Sequence, residues 1–143
     1  MKKRACAALA LCTLLLIGCG SKLPPLPDDP VIFQRGEINP EGEDTGYVTV
    51  EHDGKVFVPY GILRGRGLFR DVSYAFGDCL GCMGDGSYAK IYALAGQSPE
   101  EWLIDFYEGG EMEQPMVYRE LGTLGGPVPE CVESLEYEIW KEN

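Results

Sequence analysis

Histidine occurs once in the 143-residue chain, at position 52, and basic side chains are few, twelve against 23 acidic ones. A serine or cysteine triad would have only His52 as its base, and that residue stands beside Asp53-Gly54, a turn sequence. Tetrahedral zinc is equally short of imidazole ligands. The formal net charge of −11 sets the chain against nucleic acid and anionic headgroups. Long apolar runs are also missing: residues 5–17 make thirteen, against roughly 20 for a spanning helix. There is no internal repeat and no extended amphipathic stripe, so repeat arrays and helical bundles are set aside.

What is present begins with Met1-Lys2-Lys3-Arg4, a cationic start, followed by the apolar run and then Leu16-Ile17-Gly18-Cys19. That layout is a signal-peptide pattern, and its last four residues resemble the bacterial lipobox. The resemblance implies diacylglyceryl attachment to the Cys19 thiol, cleavage after Gly18, and palmitate-type acyl chains holding the protein to a membrane. Two chains on one residue anchor stably where one would be marginal. The expected organisation is a signal peptide over residues 1–18, a lipidated cysteine with a proline-rich spacer over 19–30, and an extracytoplasmic domain over 31–143. Losing Lys2, Lys3 and Arg4 leaves nine basic side chains against 23 acidic ones, a formal net of −14. A soluble cytoplasmic enzyme is excluded on this reading. Four prolines between positions 21 and 30 favour extended polyproline II, a stand-off of roughly 30 Å at about 3.1 Å per residue.

Within the domain, residues 37–46 read as loop. Residues 47–51 and 55–59 are β-prone runs around His52-Asp53-Gly54, a hairpin signal that sets Val50 opposite Phe57 and Val48 opposite Pro59. Pro59 cannot donate to a ladder and belongs at a strand end or edge. Gly61, Gly65 and Gly67 break residues 62–76 into short strands with bulges. Residues 88–94 and 116–121 read as strands, 127–135 as one helical turn, and 137–140 as a final strand. Ser98, Pro99 and Glu101 would start a helix, yet Trp102, Ile104 and Phe106 alternate and Gly109-Gly110 follows too soon, favouring a turn into a strand over 102–107. The fold class is mainly β, a small barrel or sandwich of short antiparallel strands. The alternative is α+β with one helix near 98–108.

Cys79-Leu80-Gly81-Cys82 is the most pointed chemical candidate. In an exported protein, paired cysteines suggest a disulfide; catalytic redox would need a helix N-terminus to acidify the first thiol, and Met83-Gly84-Asp85-Gly86 offers none. Asp78 and Asp85 would raise a thiol pKa by repulsion. With Cys19 lipidated, Cys131 is the third thiol, and all three pairings stay open. Cys79, Cys82 and Met83 would suit cuprous copper, while Asp78, Asp85, Asp105, Glu108, Glu111 and Glu113 lack calcium-loop spacing. No metal or other cofactor is expected. Arg64, Arg66 and Arg70 form the only basic cluster, read as pairing with local acids rather than holding an anion.

Residues 76–81 together with 109–120 resemble segments of small uncharacterised lipoproteins of Gram-positive anaerobes, a likeness running over about residues 47–140. It implies a surface lipoprotein on the outer face of a single cell membrane and no activity. The functional expectation is a non-enzymatic, lipid-anchored binding or interaction domain. Its partners would be the membrane, through the lipid, and a protein or small molecule, with no nucleic acid. The rival is a membrane-tethered thiol oxidoreductase using Cys79 and Cys82.

Overall fold

In a computed structural model that describes residues 23–40, 46–109, 114–133 and 135–140, the short apolar runs become eight strands. They are β1 (Val31–Ile38), β2 (Tyr47–His52), β3 (Lys55–Leu63), β4 (Phe76–Met83), β5 (Lys90–Leu94), β6 (Trp102–Phe106), β7 (Met116–Glu120) and β8 (Leu135–Glu138). Residues 1–22, with the expected signal peptide and Cys19, lie outside the described residues, as do Glu111 and Glu113. Seven strands close into a barrel in the order β2-β1-β4-β5-β6-β7-β3, with β3 returning to β2, and β8 adds to the free edge of β3. The mainly β expectation holds, in its barrel form. No α-helix appears among the described residues.

The β2–β3 hairpin forms as its sequence dictates. Asp53 and Gly54 take φ of 50° and 76°, the pair of positive angles a type I′ turn requires, and Val50 faces Phe57. The Val48–Pro59 pairing does not form. Pro59 instead faces Tyr118 of β7, next to a bulge before Gly61. One edge of β3 serves β2 at Lys55–Phe57 and β8 at Gly61–Leu63, so Pro59 falls in the interval between two partners, where a missing N–H is tolerated.

Other boundaries differ from the sequence reading for identifiable reasons. Glu37 and Ile38 belong to β1, because β2 pairs with them. Ile62 and Leu63 complete β3, and no further strand forms before β4: the glycine-rich stretch makes an isolated Arg66–Asp71 bridge and a 3-10 turn at Ser73–Ala75. Tyr88 has a φ of 60° and stands outside β5. Ser98 closes a single turn, its carbonyl accepting from the Glu101 and Trp102 N–H groups at 3.1 and 3.0 Å, and the chain then enters β6 as expected. The 3-10 turn Glu130–Val132 stands for the expected helical turn.

Two apolar layers result. Phe33, Val50, Phe57, Met83, Ile91, Leu103 and Tyr118, one from each barrel strand, pack together and fill the interior, as suits a barrel this small. The opposite faces of β4 to β7 carry Phe76, Cys79, Tyr92, Leu94, Trp102, Ile104 and Val117, and these are covered by Leu63, Ala75, Val132 and neighbouring partly buried residues. Each such buried side chain contributes about 1.5–3 kcal/mol. Strand β6 is therefore buried on both faces. Arg119 pins the cover: its Nη atoms donate to the Leu124 and Pro127 carbonyls at 3.0 and 3.1 Å, and its guanidinium lies 4.5 Å from the Trp102 ring. Leu23 packs against this outer layer.

Candidate functional site

The interior cluster fills the middle of the barrel, and a hollow opens toward each of its ends. Toward one end, Val31, Phe33, His52, Lys55, Leu80 and Glu100 line a hollow of about 230 Å³. His52 sits against Phe33, ring centroids 5.1 Å apart, and Lys55 pairs with Glu100 at 2.6 Å on the rim. The other mouth is larger, about 500 Å³, and more polar, lined among others by Arg35, Ser87, Asp105, Tyr107, Gln114 and Tyr118.

Arg35 lies two places after the interior Phe33 on β1, and its register partner is the interior Val50. Its side chain accordingly turns into the barrel mouth. There Nη1 donates to Asp105 of β6 at 2.6 Å and Nε to Asp85, beyond β4, at 3.1 Å. Burial works against the guanidinium's charge, but the hydrogen bond and charge of Asp105, helped by Asp85, leave its pKa raised. Burial, reinforced by the Asp105 charge and opposed by Arg35, pushes the neighbouring Tyr118 phenol up to about 12. Ser87 holds Asp85 low through its side chain and its backbone N–H, with Arg35 adding to the effect. Two carboxylates thus surround one guanidinium, so the mouth carries a local excess of negative charge. It favours hydrogen-bond donors or a cationic group over an anion.

Asp85 and Asp105, grouped in the sequence with acids that might hold a cation, converge instead on Arg35. Asp78 is exposed and Glu108 pairs with Lys90 at 3.3 Å. Among the described residues no three His, Cys, Asp or Glu side chains gather to hold a metal. His52 lies at the far mouth, where Leu80 also lines the hollow.

The C-x-x-C segment forms part of β4, not a turn leading to a helix. A bulge at Leu80 lets Cys79 pair with Tyr92 and Cys82 with Lys90; Tyr92 and Lys90 share a face of β5, so both thiols turn to the outer side. Cys79 is buried in the outer layer, against which Cys131 also packs, while Cys82 is half-buried. The structure thus brings Cys79 and Cys131 into one apolar cluster. Among the described residues there is no α-helix whose N-terminus could face Cys79.

Of the three arginines, Arg70 pairs with Glu136, Arg64 donates to the Leu135 carbonyl at 3.2 Å, and Arg66 stacks 3.7 Å from the Tyr74 ring centroid. Among the described residues Arg70 alone of the three makes an ion pair, and Arg64 adds its charge to the same Glu136. Arg35 and Tyr118 were not singled out in the sequence; the available signal was the two-residue spacing of Arg35 from Phe33, visible once residues 31–38 are taken as a strand. No family model matches the chain, and neither a curated protein nor a solved structure does.

Proposed function

We propose that the chain is a lipid-anchored, extracytoplasmic binding domain without catalytic activity of its own, taking a small polar or cationic group at the Arg35 mouth of the barrel. The observation that carries this reading is the mouth itself: a partly buried guanidinium paired with Asp105 of β6 and Asp85 beyond β4, beside the Tyr118 phenol and a cavity of about 500 Å³. Such a site is preorganised to exchange hydrogen bonds with a ligand, and among the described residues its lining holds no histidine, lysine or cysteine to act on one. The anchor supports the same reading from the lipobox-like residues 16–19. The thiol rival is weaker because Cys79 is buried within a strand.

Two measurements test it. Fatty-acid labelling of cells should tag the wild-type chain and leave Cys19→Ala unlabelled; label persisting in the variant would remove the anchor. Amide chemical shifts, followed while small polar and amine-bearing fragments are added, should move at Ala89, Met116 and Tyr118, and Asp105→Asn should weaken those responses about tenfold or more through loss of a charge-assisted bond. Fragment responses confined to the His52 mouth would overturn the assignment.

A further inference from the structure

Beyond β3 the chain makes a second, smaller hairpin. Arg66 and Asp71 exchange backbone hydrogen bonds of 2.8 and 2.9 Å, and the Arg70 N–H donates to the Gly67 carbonyl at 3.2 Å, closing a β-turn whose central residues are Leu68 and Phe69. Those corners ordinarily carry Pro, Asn, Asp or Gly. Here both are large and apolar, and each is 91% exposed. Neither the turn geometry nor the core requires them. The hairpin is also held firmly at its base. Arg66 stacks on Tyr74, the Tyr74 hydroxyl donates to the Arg64 carbonyl at 2.9 Å, and Arg64 and Arg70 reach the β8 strand. A Cβ on Gly65 would stand 2.7 Å from the Arg70 carbonyl carbon, so the two arms are in close contact. The result is a stiff finger with an apolar tip and a collar of three arginines.

Charge and position say what the tip meets. Three of the nine basic residues from position 19 onward lie in residues 64–70. Arg35, Lys55 and Lys90 are paired with carboxylates elsewhere on the barrel, and Arg119 is buried; within the collar Arg70 pairs with Glu136, while Arg64 and Arg66 are held by a carbonyl and a ring. A chain this acidic, tethered near an anionic surface, turns its basic collar toward the headgroups and the remainder away. The tether is short: Leu23, four residues after Cys19, packs against the same outer layer as Val72 and Tyr74 at the base of the finger. Four extended residues reach about 14 Å.

We propose that Leu68 and Phe69 insert into the headgroup–acyl boundary of an anionic bilayer, with Arg64, Arg66 and Arg70 at the phosphates, as a second membrane contact beside the lipid. This takes the presence of a nearby membrane from the anchored reading, and its test separates the two. The chain from Cys19 onward, carrying Phe69→Trp, is held on vesicles either by its own lipid or by an N-terminal polyhistidine tag on chelator lipid. Phe69 is exposed, so the substitution leaves the fold intact. Brominated acyl chains should quench the introduced indole and shift its emission to the blue. The effect should be stronger on equal parts phosphatidylcholine and phosphatidylglycerol than on phosphatidylcholine alone, and should fall when Leu68→Ser is added. A chain that needs the tag but is quenched defeats the anchor and keeps the finger. A chain held by its own lipid whose introduced indole is unquenched overturns the finger and leaves the tip to a protein partner. Quenching that ignores phosphatidylglycerol overturns the role given to the arginines.

Discussion

A thiol is useful to chemistry in proportion to its thiolate, and at the residue scale Cys79 is placed to have little of it. Burial raises its pKa first; a hydrogen bond from the Gly81 backbone and the Lys90 charge act the other way, and Cys82 and Glu108 add to the rise. Burial raises Cys131 as well. The direction matches what the flanking acids suggested, but the cause does not: Asp78 is exposed, and Asp85 is engaged by Arg35 and Ser87. In the reduced, folded protein, Cys79 should therefore alkylate at pH 7 more slowly than in the unfolded chain, since a raised pKa leaves less thiolate and burial limits access to it. Site-resolved mass spectrometry after timed iodoacetamide exposure measures this. Cys79 labelling as fast as in the unfolded chain would restore the oxidoreductase reading. The residues of the Arg35 mouth were hidden from sequence reasoning for a related cause. Arg35 and Asp105 are seventy positions apart, and no local spacing records a contact that only barrel closure creates.

Among the elements, what could be read and what could not divides along pattern. The β2–β3 hairpin and β6 announce themselves through Asp53-Gly54 and through the alternation of Trp102, Ile104 and Phe106. Strands β1 and β4 do not. Only Phe33 is buried in β1, and β4 carries two glycines and register shifts that break its period of two. Yet these two form the seam that closes the barrel, and it is the only parallel pairing among the described strands: Val31, Ile32 and Phe33 beside Gly81, Cys82 and Met83. Gly81 makes the seam possible. A Cβ there would stand 2.6 Å from the Val31 carbonyl carbon and 2.7 Å from its nitrogen, backbone atoms that cannot step aside. The glycine between the cysteines is thus required by packing, whatever the thiols do. Gly81→Ala should cost about 2–3 kcal/mol or more, with faster amide exchange along β1. Gly125→Ala, where nothing lies within 4 Å, should be near neutral. Thermal unfolding of both variants decides it, and equal midpoints would refute the seam.

For the molecule as a whole, stability should depend on pH in a lopsided way. Burial raises Cys79, Cys131, Tyr92 and Tyr118 above their ordinary values of 9.0 and 10.0, Tyr118 to about 12. The unfolded chain loses these protons first, so above pH 9 the folded state binds more protons than the unfolded one, and stability falls with rising pH. That stabilisation is complete below about pH 9 and drains away as pH climbs toward the folded values. The acid limb has the opposite sign. Asp85 is held low by Ser87 and Arg35, Glu100 by Lys55, and Glu136 by Arg70. Their stabilisation is present above the ordinary values of 3.8 and 4.5 and is lost as pH falls through the lowered ones. All three are exposed enough for solvent to screen them, so this limb should be shallow. Self-repulsion moves the optimum further. At net −11 with an isoelectric point near 4.4, the folded chain is relieved of like-charge strain as pH drops from 8 toward 5. Unfolding midpoints measured in matched ionic strength from pH 3 to pH 11 should therefore peak at about pH 5–6, decline gently to pH 9, and fall steeply beyond it. Added salt should flatten the middle stretch, where repulsion is the cause, and leave the alkaline fall in place, where the cause is buried thiols and phenols. A midpoint that stays level from pH 8 to pH 11 would mean those groups are not buried as the two-layer barrel requires.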